Sequence, residues 1–244
     1  EAARAVHDKP IPQAMPALAA LADNFKEATG GMAANDPRIT PLLRRVISAN
    51  QKLGGSTEVA SIASIARNTS LPRVVRMEAL EAMRDFESPA ARDRVLGWWR
   101  PVENGPRDRE MIAEVLTLAL PPLASDQDPD IRSSAIDVAG AYEVALDPDA
   151  LFQVAVDDAG RTSDRIACIE QLPGEDEARL EEALVIVLAS DSSMVRIAGR
   201  KRLMQLDPGD AESSYLMALD SSDLPERQNA VAVLGQLDTD RSHA

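Results

Sequence analysis

The sequence predicts an all-α fold: an α-solenoid, a right-handed superhelix of antiparallel helix pairs. Three observations predict it. A motif built around an arginine recurs at residues 76, 132, 165, 196 and 227, with spacings of 56, 33, 31 and 31. The apolar residues after each copy fall on one side of a helix. The composition, 45% apolar but only 3% aromatic, suits helices rich in Ala and Leu better than a β-sandwich, whose strands favour aromatic and β-branched side chains. A single helix pair cannot bury its own apolar face, whereas stacked pairs can. Residues 1–244 are therefore read as one repeat domain.

The copies align as Val75-Arg76-Met77-Glu78-Ala79, Ile131-Arg132-Ser133-Ser134-Ala135, Asp164-Arg165-Ile166-Ala167-Cys168, Val195-Arg196-Ile197-Ala198-Gly199 and Glu226-Arg227-Gln228-Asn229-Ala230. One residue past the small position stands Leu80, Ile136, Ile169, Arg200 or Val231, and four past it Met83, Ala139, Leu172, Leu203 or Leu234. Positions i, i+1, i+4 and, in most copies, i+7 line one helix face with apolar residues, and Arg200 breaks the rule at one position. Arg76, Arg132, Arg165, Arg196 and Arg227 are expected to form a structural ladder, each bonding the acidic turn of a neighbouring repeat.

A second, shorter helix is expected between copies, over 150–156, 178–188 and 211–219. Asp128-Pro129-Asp130, Asp147-Pro148-Asp149, Pro173-Gly174 and Asp207-Pro208-Gly209 mark the turns. An Asp before a helix accepts hydrogen bonds from its free N–H groups and suits its positive end. The interval of 56 holds an insertion near 97–107, from Gly97-Trp98-Trp99-Arg100-Pro101 to Gly105-Pro106-Arg107, then a helix over about 107–120. Upstream, 1–6 reads as the tail of a helix and 11–22 as its partner. Residues 23–36 read as a loop, 41–53 and 59–65 as another pair, and 239–244 as a frayed end. The count is about seven helix pairs.

Charge narrows the function. Residues 1–120 carry 16 Lys/Arg and 15 Asp/Glu, and residues 121–244 carry 10 and 25, which places the whole excess of the net −14 in the second half. An acidic half repels phosphate, so nucleic acid is not an expected partner. No apolar run reaches the roughly 18 residues of a membrane span, so direct membrane insertion is not expected. The single cysteine, Cys168, permits no internal disulfide and takes the small-residue position of its copy, as a buried structural thiol would. The chain opens on Glu1-Ala2-Ala3-Arg4 without an initiator Met or a signal peptide, and is read as a piece of a longer protein.

Little in the sequence points to chemistry. His7 and His243 are the only histidines. A histidine-based metal site or a Ser/His/Asp triad has little to build on, and His7-Asp8 reads as a cap on a helix C-terminus, where an imidazolium is favoured. Asp126, Asp128 and Asp130 begin like a calcium loop, with Asp137 at the twelfth place, but Ile131 stands where that loop needs Gly. They read as an inter-helix turn, as do Asp157-Asp158 and Glu175-Asp176-Glu177. Gly30-Gly31 and Gly54-Gly55 lack the Lys-Ser/Thr of a phosphate loop. No catalytic residue, metal or cofactor is assigned. Trp98 and Trp99, with Arg94 and Arg100 beside them, form a possible interaction patch, since Trp and Arg dominate interface hot spots; the alternative is that the tryptophans pin the insertion onto the helices.

The copy Asp128-Pro129-Asp130-Ile131-Arg132-Ser133-Ser134-Ala135 resembles the short bacterial HEAT-like repeat, Asp-Pro-x-(Val/Ile)-Arg-x-x-Ala. That resemblance implies an armadillo-like α-solenoid used as a scaffold or binding surface. The stretch from Glu1 to Pro12, Leu80 to Met83 and Arg92-Asp93-Arg94-Val95-Leu96-Gly97-Trp98-Trp99-Arg100-Pro101 resembles the HEAT segment of planctomycete-type membrane-bound dehydrogenase-like proteins. Those join a β-propeller, HEAT repeats and a c-type cytochrome. The haem motif Cys-x-x-Cys-His is absent from this sequence, so no haem or catalytic role carries over. The resemblance implies a non-catalytic spacer in an exported, periplasmic redox protein, with neighbouring domains or another protein as partner. The alternatives are a stand-alone module that binds a basic protein through its acidic half, and, further off, a bilin lyase-like or glycosylase-like enzyme.

Overall fold

The computed structural model describes residues 1–24, 31, 33, 36–102, 105–174 and 176–237. The expected loop over 23–36 lies mostly outside the described residues, and the expected frayed end over 239–244 wholly so. Fourteen α-helices and no strand occur among the described residues. The chain falls into two compact units, Glu1–Leu146 and Asp147–Ala244.

The first unit holds α1 (Ala2–Asp8), α2 (Met15–Ala19), α3 (Ile39–Leu53), α4 (Ser56–Arg67), α5 (Arg73–Arg84), α6 (Arg109–Ala119), α7 (Pro121–Ala124) and α8 (Pro129–Ala141). The helix expected over 11–22 is broken: 3-10 turns at Pro12–Ala14 and Ala20–Ala22 flank α2. Pro12 and Pro16 supply no N–H, so a continuous α-helical ladder cannot run through them. Helix α3 ends at Gly54, whose φ of 81° is a left-handed cap that suits glycine. Helices α1 and α2 pack on α3. Neighbours α3, α4 and α5 pack in sequence, α5 also reaches back to α3 and on to α8, and α4 packs on α6. The apolar face expected of the Arg76 copy is the core here: Val75, Ala79, Leu80, Met83 and Phe86 are all fully buried.

The second unit holds α9 (Pro148–Val156), α10 (Thr162–Gln171), α11 (Glu177–Leu188), α12 (Ser193–Leu206), α13 (Pro208–Ala218) and α14 (Leu224–Leu234). Consecutive helices pack pairwise in α9–α10, α11–α12, α12–α13 and α13–α14. The motif-bearing helices α10, α12 and α14 also touch in order. The expected Asp signals at Asp147 and Asp207 are caps, each accepting a hydrogen bond from backbone N–H groups in the first turn of the helix that follows, and Asp176 and Asp223 cap α11 and α14 in the same way. Asp108 and Asp128 do the same in the first unit. Val231, expected on the apolar face of α14, is 62% exposed instead.

The small-residue position has a steric cause in α12. A Cβ on Gly199 would stand 2.6 Å from Cγ1 of Val187 and 3.3 Å from Leu188 on α11. Val187 is fully buried and, being β-branched, has little rotamer freedom with which to yield. Gly199→Val is expected to cost about 1–3 kcal/mol by overpacking. Thermal unfolding checks this, with the exposed Val185→Ala in the same pair of helices as a near-neutral control.

Candidate functional site

Within the insertion between α5 and α6, residues 91–100 form a turn that presents the two tryptophans. Its ends are tied by Arg100 N donating to Ala91 O (2.8 Å) and Asp93 N donating to Trp98 O (2.9 Å), around an isolated antiparallel bridge from Arg92 to Trp99. Gly97 N donates to Asp93 O at 2.8 Å, with Gly97 in the left-handed region at φ 69°. The Asp93 side chain closes the turn from inside: its Oδ1 accepts from Val95 N and Leu96 N, both at 2.9 Å. Its Oδ2 accepts from Lys52 Nζ at 2.5 Å. Burial pushes the Asp93 carboxyl up, but the hydrogen bonds from Lys52 and the Leu96 N–H outweigh it and hold the group below its ordinary value.

Arginines fasten this hairpin to three helices. Arg94 donates to Gln51 Oε1 of α3 (3.1 Å), Glu81 O of α5 (2.9 Å) and Asp85 Oδ2 (2.6 Å). Arg44 of α3 donates to Arg94 O at 2.8 Å. Arg100 caps α1 by donating to His7 O (3.2 Å) and Asp8 O (2.9 Å). Arg107 donates to Phe86 O and Gln51 O and stacks over the Phe86 ring, 4.4 Å from its centroid. The four residues of the expected patch are thus split by role. Trp98 and Trp99 are 58% and 72% exposed, so they do not pin the insertion; the arginines do. The Arg100 guanidinium reaches the face of Trp98, 4.9 Å from its centroid, whereas Arg94 is turned inward on α3 and α5.

Beneath the hairpin lies a buried polar cluster. His7 Nδ1 lies 3.1 Å from Asp8 Oδ1, and Nε2 lies 2.9 Å from Ser48 Oγ, 3.4 Å from Lys52 Nζ and 3.5 Å from Asp93 Oδ2. Arg45 pairs with Asp8 at 2.8 Å and holds its carboxyl at about 2, well below the ordinary range. The expectation of a capping imidazolium is corrected here. Burial, followed by the Lys52 ammonium, lowers the His7 pKa, and the cap on α1 is Arg100. Ser48, His7 and Asp8 stand in the order of a nucleophile, base and acid. Yet His7 is 0% and Ser48 3% exposed, so a substrate cannot reach either while the hairpin is in place.

The ladder arginines divide into two kinds. Arg76 reaches both its own pair and the next: it donates to Ala66 O and to Asp126 of the turn before α8. Arg165 donates to Ala155 O (3.0 Å) and to Ser190 Oγ (3.0 Å) of the turn before α12. Arg196 bonds Glu226 of α14 through both Nε and Nη2, at 2.9 and 2.5 Å. Arg132 and Arg227 instead bond the turn before their own helices, at Asp126 O (2.8 Å) and Ser221 O (2.6 Å). Arg200, the break in the apolar stripe, donates to Ser214 and pairs with Glu226 Oε1 at 2.6 Å.

Asp126 faces Arg76, and Asp128 and Asp130 face Arg73, so the triplet's carboxylates are turned onto arginines. Asp158 pairs with Arg165 at 2.8 Å. Glu175 and His243 lie outside the described residues. No group of three or more His, Cys, Asp or Glu side chains able to hold a metal occurs among the described residues. No described helix is long and apolar enough to cross a membrane. Cys168 is fully buried in α10.

Fold and site together define an all-α protein whose helices carry a hairpin tied down by hydrogen bonds, with two exposed tryptophans. No family model matches the chain, and neither do the curated proteins or the solved structures compared with it.

Proposed function

We propose that this chain is a non-catalytic interaction scaffold, a right-handed α-solenoid of HEAT-like helix pairs that engages its partner through Trp98 and Trp99. The observation that carries the reading is the exposure of both indoles on a hairpin otherwise fixed by Asp93, Arg94 and Arg100. Tryptophan offers a large contact area at little cost in conformational entropy, and a pre-ordered loop avoids the cost of ordering on binding. The solenoid reading draws on the packing of α10, α12 and α14 in order within the second unit and of α3, α5 and α8 within the first. It also draws on arginines that reach from one pair to the next.

The resemblance to HEAT segments of dehydrogenase-like proteins extends the proposal: the scaffold serves as a spacer and docking surface within a larger exported redox protein. A second reading has an observation of its own. The 25 Asp/Glu against 10 Lys/Arg in residues 121–244 favour a stand-alone module that holds a basic partner on its acidic half. Blotting source-cell fractions with an antibody to this segment, beside a stain for covalent haem, separates the two. The spacer reading expects a haem-positive band far above 26.2 kDa outside the cytoplasm. A haem-negative cytoplasmic band near that mass overturns it and leaves the stand-alone module.

A further inference from the structure

The tryptophan hairpin stands on a histidine, and the geometry of that footing sets a condition for its order. The Asp8 carboxylate can only accept, so His7 Nδ1 carries the hydrogen that bridges their 3.1 Å separation. In the neutral ring, Nε2 is then a lone pair, and it accepts from Ser48 Oγ at 2.9 Å. The groups facing the ring come from each element around it. Helix α1 gives Asp8, with Arg4 3.5 Å from that carboxylate. Helix α3 gives Ser48, Lys52 and, through Asp8, Arg45. The hairpin gives Asp93 and, through the backbone oxygen of His7 itself, Arg100. Helix α2, also packed on α1, carries no ionisable side chain.

Two carboxylates, Asp8 and Asp93, are thus already answered by Arg45 and Lys52 at 2.8 and 2.5 Å. A proton on Nε2 turns an acceptor into a donor. The Ser48 hydroxyl can turn to accept the new N–H, but the added charge faces the Lys52 ammonium at 3.4 Å, and Asp93 Oδ2 at 3.5 Å is already held by Lys52. Two cations this close in a site where His7 is 0% exposed repel each other, which favours displacing Lys52 from Asp93 or moving the ring out of its buried site. Either outcome breaks the footing of the turn, because Asp93 also closes the hairpin through Val95 and Leu96.

We infer that His7 is a proton-operated latch: neutral, it locks the Trp98–Trp99 hairpin onto α1 and α3, and protonated, it releases it. The regulatory meaning rests on the docking role proposed above for the same tryptophans; the latch itself does not. The sign follows from linkage. The closed state holds His7 below its ordinary value of 6.5, whereas the open state solvates it, so the open state binds the proton preferentially. Opening begins as pH falls below about 6.5 and grows up to tenfold per pH unit until the closed-state value is reached. The carboxylates of Asp8 and Asp93 titrate lower and do not enter this window. Glu78, raised by burial and tied to the hairpin through Arg44, is the other acid-sensitive support, and a His7 variant separates the two.

The test is hydrogen exchange at the Asp93, Gly97 and Arg100 amides, which close the hairpin, in the whole 244-residue chain. Exchange is followed from pH 7.5 to 5.5 and normalised to the intrinsic chemical rate. The latch predicts that protection falls by up to about tenfold, while amides in the middle of α4 and α12 hold theirs. In His7→Gln that pH dependence is lost. Protection that stays flat in the native chain, or falls equally in both, overturns the inference. Should His7→Gln not fold, the imidazole NMR titration of the native chain decides: a His7 pKa at or above 6.5 overturns the latch, and one below supports it. Trp98→Ala/Trp99→Ala leaves the latch residues intact, so loss of a partner in that variant with the acid transition retained separates failure of one idea from failure of the other.

Discussion

Glu226→Ala is expected to destabilise the second unit by about 3–5 kcal/mol, the largest effect of any single substitution considered. Glu226 is 2% exposed and its carboxylate sits between Arg196, at 2.5 Å, and Arg200, at 2.6 Å, with Ser221 Oγ donating at 2.6 Å. Truncation leaves two guanidiniums facing each other with nothing between them, one of them 9% exposed. The carboxylate also belongs to the first turn of α14, where negative charge suits the helix end. Hydrogen bonds from Arg196, Ser221 and Arg200 against the opposing push of burial hold its pKa at about 2. The sign is that of a depressed acid: the stabilisation is complete above about pH 4.5 and is lost as pH falls toward 2. Chemical denaturation of Glu226→Ala and of Glu226→Leu/Arg200→Met checks the cause. The double variant removes Arg200, the more deeply buried of the two guanidiniums, together with the carboxylate, while Arg196 keeps its backbone acceptors Ser190 O and Asp191 O, so it should recover part of the loss; equal damage in both would place the effect in α14 packing instead.

Asp93→Ala is expected to cost about 3 kcal/mol and to free the hairpin. It strips Lys52 of its carboxylate and leaves the N–H groups of Val95 and Leu96 without their acceptor. Asp93→Asn keeps an oxygen for those N–H groups and loses only the charge, so it should fall between the native chain and the alanine variant. Thermal unfolding gives the stability. Hydrogen exchange at Gly97 and Arg100 gives the local part, which should collapse in Asp93→Ala while α4 stays protected. A stability loss with the hairpin amides unchanged would mean that Asp93 supports α3 rather than the turn.

Much of the helical skeleton was legible because its signals are local. Asp128-Pro129 and Asp147-Pro148 mark helix starts wherever they fall, since a cap needs only its own first turn. The Arg76 copy's apolar stripe predicted its core residue by residue. Arg200 was legible only as an exception. What makes it tolerable is Glu226, 26 residues on, at the place where three other copies carry Val or Ile, and nothing local announces that pairing. The hairpin failed for the same reason. Trp98, Trp99, Arg94 and Arg100 stand out by type, but Lys52 and His7 reach the turn from α3 and α1 across 41 to 86 residues of chain. Asp93, four residues before Gly97 and inside Arg92-Asp93-Arg94, carried a turn signal of the kind Asp side chains make. The 3-10 breaks beside α2 were signalled by Pro12 and Pro16, which the apolar spacing over 11–22 outweighed.

The most direct measurement compares what the native chain and Trp98→Ala/Trp99→Ala retain, captured side by side from the source cells at neutral pH, with the 80% exposed Leu118→Ala as control. Circular dichroism establishes equal helix content first. A docking hairpin predicts one partner, or one neighbouring domain, held by the native chain and the Leu118 variant and reduced more than tenfold in the double variant, as loss of a tryptophan hot spot of about 2 kcal/mol or more requires. The same partner recovered undiminished from all three would contradict it.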